Sequence, residues 1–168
     1  QALSPDEFEE TAEHSGALLL DVRNNNDFAQ GLIPQSVNIG LDGDFAPWVG
    51  ELIVDVQKPI LLITDKNKEE ETVTRLSRVG FDNVIGFLKG GFEAWKNSSK
   101  EIDTVNRISA QEFEKEISGK EVKIIDVRKE SEYEAEHVDE AFNKPLAYIN
   151  QWISTLDPKE HFYLHCAG

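Results

Sequence analysis

Leu18-Leu-Leu-Asp-Val-Arg23 returns further along the chain as Lys123-Ile-Ile-Asp-Val-Arg128. Outward from that hexapeptide, Leu3-Ser-Pro-Asp-Glu-Phe-Glu-Glu10 returns as Ile108-Ser-Ala-Gln-Glu-Phe-Glu-Lys115, at the same offset. Two matches that keep one register across separate elements mean a duplicated domain, because chance similarities would not hold the spacing. The 168 residues therefore read as two domains, 1–104 and 105–168. The second reaches only as far as a loop at Cys166. Alignment of the copies sets Gly168 at Asn67, so the counterpart of Lys68 to Ile102 is expected to be missing. A chain with no methionine, opening on Gln1, is expected to be a piece of a larger polypeptide. Its uncovered sheet edge predicts instability of the second half or self-association into a homo-oligomer.

Within each copy, helix and strand signals alternate. Ser4 with Glu7, and Ser109 with Glu112, spell capping boxes that open a helix. The apolar run before Asp-Val-Arg is a buried strand. Short helices are expected around Asn25 to Gln30 and Glu130 to Glu136, then small strands at Val37 to Ile39 and near Phe142, and next a helical stretch containing Trp48 in one copy and Trp152 in the other. Lys58-Pro59 and Asp157-Pro158 mark turns into strands at Ile60 to Thr64 and His161 to His165. In the first copy a helix follows from Glu69 to Val79, stopped by Gly80, then a strand from Asn83 to Leu88 and a helix opened by Gly90-Gly91. Apolar strands alternating with helices predict an α/β fold, each domain a parallel sheet flanked by helices on both faces. In such sheets the binding crevice lies at the carboxyl ends of the strands.

Composition narrows the function classes. With 39% hydrophobic and 29% charged residues and a formal net charge of −15, the chain is globular and too acidic for a nucleic-acid binder. Anionic membrane surfaces are disfavoured for the same reason, and no apolar run approaches the roughly 20 residues that span a bilayer. A single cysteine excludes an intramolecular disulfide and favours a reducing, cytoplasmic setting.

The run from Arg75 through Val79-Gly-Phe-Asp-Asn-Val84 to Gly90-Gly-Phe-Glu-Ala-Trp95, set at its distance from Asp-Val-Arg, resembles the rhodanese-like domains. Tandem copies of which the first lacks a cysteine are similar to the carboxy-terminal part of metallo-β-lactamase-fold hydrolases fused to two rhodanese domains, a group like the persulfide dioxygenase fusions. The resemblance implies a sulfurtransferase. It implies no cofactor in this segment, with a metal (Zn or Fe) belonging to a missing N-terminal domain. Sulfur donors would be thiosulfate, a polysulfide or glutathione persulfide, and acceptors thiols or cyanide.

Cys166 is the candidate nucleophile. It follows the strand Phe162-Tyr-Leu164 and precedes Ala167-Gly168, a small-residue loop whose backbone N–H groups can converge on an anion and favour thiolate. A solitary cysteine is more often a buried core residue; the repeat, which puts it at a strand's carboxyl end, reverses that reading. By resemblance Cys166 accepts a sulfane sulfur as a persulfide, with Ala167 and Gly168 forming the substrate-binding loop. The equivalent residue of the first copy is expected to be Asp65. A carboxylate cannot form a persulfide, and Glu69, Glu70 and Glu71 would repel an anionic donor, so that copy reads as an inactive, architectural domain. Asp21/Arg23 and Asp126/Arg128 occur in both copies and read as supporting framework, the arginine being free to hold a carboxylate such as Asp27 or Glu132 in a paired fork. His165, next to the thiol, is expected to point to the opposite face. The histidines show no metal-ligand spacing. Two rivals stand beside sulfur transfer: a non-catalytic module that positions or dimerises an enzymatic domain, and a phosphatase or arsenate reductase, which would need a cysteine loop one residue longer.

Overall fold

The computed structural model describes residues 1–166 and divides the chain into two compact units, Gln1–Arg107 and Ile108–Gly168. In the first, Ser4 caps α1 (Pro5–Ser15): its hydroxyl accepts from Glu7 N while the Glu7 carboxylate accepts from Ser4 N at 2.8 Å. The elements that follow are β2 (Leu18–Asp21), α2 (Asn25–Gln30), β3 (Val37–Asn38), α3 (Phe45–Leu52), β4 (Ile60–Ile63), α4 (Glu69–Ser77), β5 (Val84–Leu88) and α5 (Gly91–Asn97). All agree with the sequence pattern to within a few residues. One strand went unread: β1 (Ala2–Leu3), ahead of the capping box, pairs with the far end of β5. The sheet runs β1-β5-β4-β2-β3, and every pairing is parallel.

Strand β4 is buried on both faces, so successive side chains feed two cores. Leu20, Ile60 and Leu62 pack with Phe45 and Val49 of α3 and Leu76 of α4. Leu61 and Ile63 pack with Phe8 of α1 and with Phe92 and Trp95 of α5. Helices on both faces of a parallel sheet are therefore present, as the alternating signals predict. The tryptophans serve these cores: Trp95 is buried edge-on to Phe8, and its Nε1 donates to the Glu101 carbonyl at 2.9 Å.

The second unit repeats the opening of the first. Its elements are α6 (Ala110–Ile117), β6 (Lys123–Asp126), α7 (Glu130–Ala135), β7 (Phe142–Asn143), α8 (Ile149–Trp152) between two 3-10 turns, and β8 (Phe162–His165). Ser109 and Glu112 close the second capping box. The sheet order is β7-β6-β8, again all parallel, over a small core of Ile124, Ile125, Ala141 and Trp152. Among the described residues β8 pairs only with β6, whereas β4 is flanked by β2 and β5.

Register makes the contrast quantitative. Leu62 pairs with Leu20 and is 0% exposed; its counterpart Leu164 pairs with Ile125 and is 67% exposed. Leu62→Ala should therefore cost about 2–5 kcal/mol through the cavity it leaves. Leu164→Ala should stay within about 0.5 kcal/mol, as surface substitutions do. Urea unfolding of the two variants in this chain measures the difference, and equal losses would contradict it.

Candidate active site

An Asp-x-Arg fork is built at the carboxyl end of β2 in the first unit and of β6 in the second, the aspartate closing the strand and the arginine two residues on, because residues two apart on extended backbone share a face. In the first, Arg23 Nε lies 3.0 Å from both Asp21 carboxylate oxygens and Nη2 lies 2.6 Å from Oδ2. In the second, Arg128 Nε lies 3.0 and 3.1 Å from the Asp126 oxygens and Nη2 again 2.6 Å from Oδ2. Each arginine donates once more, to the carbonyl at the end of the following helix, Gly31 at 2.9 Å and Glu136 at 2.7 Å. The fork is thus closed by the aspartate two residues back, and the expected partners Asp27 and Glu132 do not form it; the acidic helix contributes a backbone carbonyl instead.

An asparagine locks the fork from the side. Asn38 Nδ2 donates to the carbonyls of Asp21 and Arg23 at 2.9 and 3.0 Å, and Asn143 Nδ2 to those of Asp126 and Arg128 at 3.1 and 3.0 Å. Sequence reasoning passed over this residue, although it recurs in both copies at one distance from Asp-Val-Arg.

The two forks differ in depth. Arg23 is roofed by Phe92, its guanidinium carbon 4.2 Å from the ring centroid. Burial there outweighs the arginine and pushes the Asp21 carboxyl above its ordinary value. At Asp126 burial also opposes ionisation, but the bonds from Arg128 prevail, with help from His165, and hold the carboxyl below its ordinary value. The signs for stability are opposite. The Asp126 contribution is present above the unfolded carboxylate value of about 4 and is lost as pH falls through the lower folded value. The Asp21 contribution is full below about 4 and is lost as pH rises through its higher folded value. Asp126→Asn should therefore flatten the acid-side loss of protection of the β6 amides in hydrogen exchange between pH 5 and 3; an unaltered pH dependence would oppose it.

Cys166 follows β8 directly and is exposed. It lies within electrostatic reach of Arg128, whose guanidinium is held above its ordinary value first by the bond to Asp126 and then by Asp126, Glu132 and Cys166 acting through space. The fork and the thiol thus share one end of the sheet. Ala167 and Gly168, the expected substrate-binding loop, lie outside the described residues.

The equivalence of Cys166 with Asp65 needs correction by one residue. Asp21 pairs with Ile63 and Asp126 with His165; Val22 N and Val127 N donate to the carbonyls of Ile63 and His165, both at 2.9 Å. The residue after the strand is Cys166 in one unit and Thr64 in the other. Thr64 is 3% exposed, and its carbonyl is crowded by Gly91, where an added Cβ would stand 2.9 Å away. Asp65 is the next residue out. It lines a cleft of about 380 Å³ at the strand ends together with Arg23, Asp27, Lys66, Glu93 and Lys96. Of the glutamates beyond, Glu71 is less repulsive than expected, being paired with Lys68 at 2.7 Å and with Arg75.

Comparison with known proteins agrees with this architecture. The model of the rhodanese-like domain matches residues 4–98 and 109–168. A thiosulfate sulfurtransferase of Actinobacillus pleuropneumoniae is 30% identical over 103 residues, covering 61% of this chain and 92% of that protein. An adenylyltransferase and sulfurtransferase of Pyricularia oryzae is 29% identical over 114 residues, of which this chain spans only 23% of the length. Among solved structures, a thiosulfate sulfurtransferase from Pseudomonas aeruginosa superposes with a TM-score of 0.50 at 20% identity, over 99% of this chain and 36% of that one. The 3-mercaptopyruvate sulfotransferase of Escherichia coli does so with 0.52 at 14%, over 97% of this chain and 86% of that one. Such identities speak for the fold, while the family match extends over nearly the whole sequence, and the chain accordingly belongs to the rhodanese-like domain family.

Proposed function

We propose that the chain comprises two rhodanese-like domains, 1–104 and 105–168, and that the second transfers sulfane sulfur through Cys166. The observation that carries this reading is a lone, exposed thiol at the carboxyl end of a parallel strand, within electrostatic reach of the Asp126–Arg128 fork. The Cys166 thiolate attacks the outer sulfur of thiosulfate, the S–S bond breaks, and sulfite leaves with the electron pair. The resulting persulfide is attacked at its outer sulfur by a thiolate or cyanide, and the cysteine thiolate leaves. Polysulfide and glutathione persulfide serve as donors in the same way. Small-molecule donors and thiol acceptors are thus the partners, in a reducing cytoplasmic setting. Fusion to a metallo-β-lactamase-fold hydrolase, which would generate or consume such persulfides, is part of the proposal.

Intact-mass measurement after incubation with thiosulfate tests the central step. Cys166 should gain the mass of one sulfur atom, reversed by cyanide, and Cys166→Ser should gain none. Absence of the adduct on folded wild-type protein overturns the reading.

The first domain is proposed as architectural. Neither Thr64→Cys nor Asp65→Cys, each in a Cys166→Ser background, should restore transfer above about 1% of wild type. A sulfur at 64 would sit where the residue is only 3% exposed, and one at 65 would lack the strand-end placement of Cys166. Turnover of thiosulfate by either variant would refute an architectural role.

A further inference from the structure

The two units part company at a position where their frameworks otherwise coincide. Asp21 is register-paired with Ile63, a buried side chain packed in the Phe8–Trp95 core, while Asp126 is register-paired with His165. Only the unit that carries the thiol carries an imidazole there. Its Nδ1 lies 3.4 Å from Asp126 Oδ2, beyond the 2.7–3.2 Å of a formed N–H···O bond. That nitrogen is buried and has no hydrogen-bond partner among the described residues, although the side chain as a whole is 40% exposed. A buried ring nitrogen facing a carboxylate is an unused donor, and a shift of a few tenths of an ångström closes the bond. The charged group it faces is Asp126 on β6, which is bound by Arg128 on the turn that follows, and Arg128 in turn feels Glu132 on α7 and Cys166 after β8.

We propose that His165 is a positioning residue for Cys166, adding a second donor to Asp126 Oδ2 beside Arg128 Nη2, so that the potential at the neighbouring thiol is less negative than these acidic surroundings would make it. The thiolate then forms at lower pH than it would beside a bare carboxylate. The inference rests on Cys166 being the reactive group of the proposed sulfurtransferase, and it is tested by a measurement that needs no sulfur donor.

Cys166 is the sole cysteine, so alkylation by iodoacetamide followed by intact mass reports its thiolate fraction unambiguously. The full chain is compared with His165→Ile, the residue the first unit already accepts beside the same fork, and with His165→Gln, which keeps a donor. His165→Ile should move the alkylation midpoint upward and slow the reaction at pH 6 about threefold, as a half-unit shift requires, with the alkaline plateau unchanged. His165→Gln should recover at least half of that loss. If His165→Ile does not fold by circular dichroism, a His165→Gln curve indistinguishable from a His165→Ala curve overturns the proposal. A His165→Ile curve that superposes on wild type overturns it, and so does a lowered plateau at an unmoved midpoint, which marks a merely structural role. Thiosulfate-to-cyanide transfer measured on the same samples separates the two readings. A shifted midpoint without transfer in any sample refutes the sulfurtransferase alone, and transfer with an unshifted midpoint refutes the role of His165 alone.

Discussion

Cys166→Ser is expected to lower the thiosulfate-to-cyanide transfer rate at least about a thousandfold, the scale at which a covalent nucleophile is lost. Serine keeps the size and hydrogen-bonding capacity of the side chain. Its alkoxide is inaccessible near neutral pH, and an oxygen-bound sulfur would not be a competent carrier. Stability should be unchanged, because the side chain is exposed and belongs to neither buried cluster. Steady-state kinetics beside a urea titration tests both halves. Residual transfer within tenfold of wild type would move the chemistry elsewhere in the chain.

Arg23→Ala should produce the largest loss of stability, about 3–5 kcal/mol, because it strands a carboxylate inside the first unit. Asp21 is fully buried and Arg23 nearly so, and the guanidinium supplies three of the contacts to that carboxylate. The penalty should shrink as pH falls, since an unpaired Asp21 escapes it by taking a proton. Arg128→Ala should cost less, its side chain being 15% exposed against 7% for Arg23. Chemical denaturation of each variant at pH 7 and pH 4.5 gives the comparison; a loss in Arg23→Ala that is independent of pH would mean that the fork is not the source.

Capping boxes, strand runs and glycine stops carried most of the architecture, since each is decided by residues within a few positions of one another. Ser4 with Glu7 and Ser109 with Glu112 close as their spacing requires, and Gly80 ends α4 with a positive φ. What failed was information held between strands. Pro59 stands immediately before β4, whereas four positions separate Pro158 from the start of β8, so the prolines are no guide to register. Only the parallel ladder, Asp21 with Ile63 and Asp126 with His165, brings Thr64 rather than Asp65 to the place of the thiol. Strand β1 escaped notice because two residues carry no periodicity; its identity lies in the partner β5, more than eighty residues away. The fork itself was readable in principle, an aspartate at a strand end and an arginine two residues on. The acidic helix that follows offered a more obvious counter-ion and concealed it.

The fork in each unit is closed by its own strand, a helix-end carbonyl and a neighbouring asparagine, with no atom from the residue that follows β4 or β8. Folding and chemistry are therefore written in separate codons. After a duplication, one repeat could lose its thiol in a single step and suffer no penalty in folding, so selection against misfolding would go on preserving a framework whose reaction had lapsed. If the first repeat is architectural, as proposed, its intact fork beside a threonine is what such a history leaves, and its cleft of mixed charge is open to recruitment for another task.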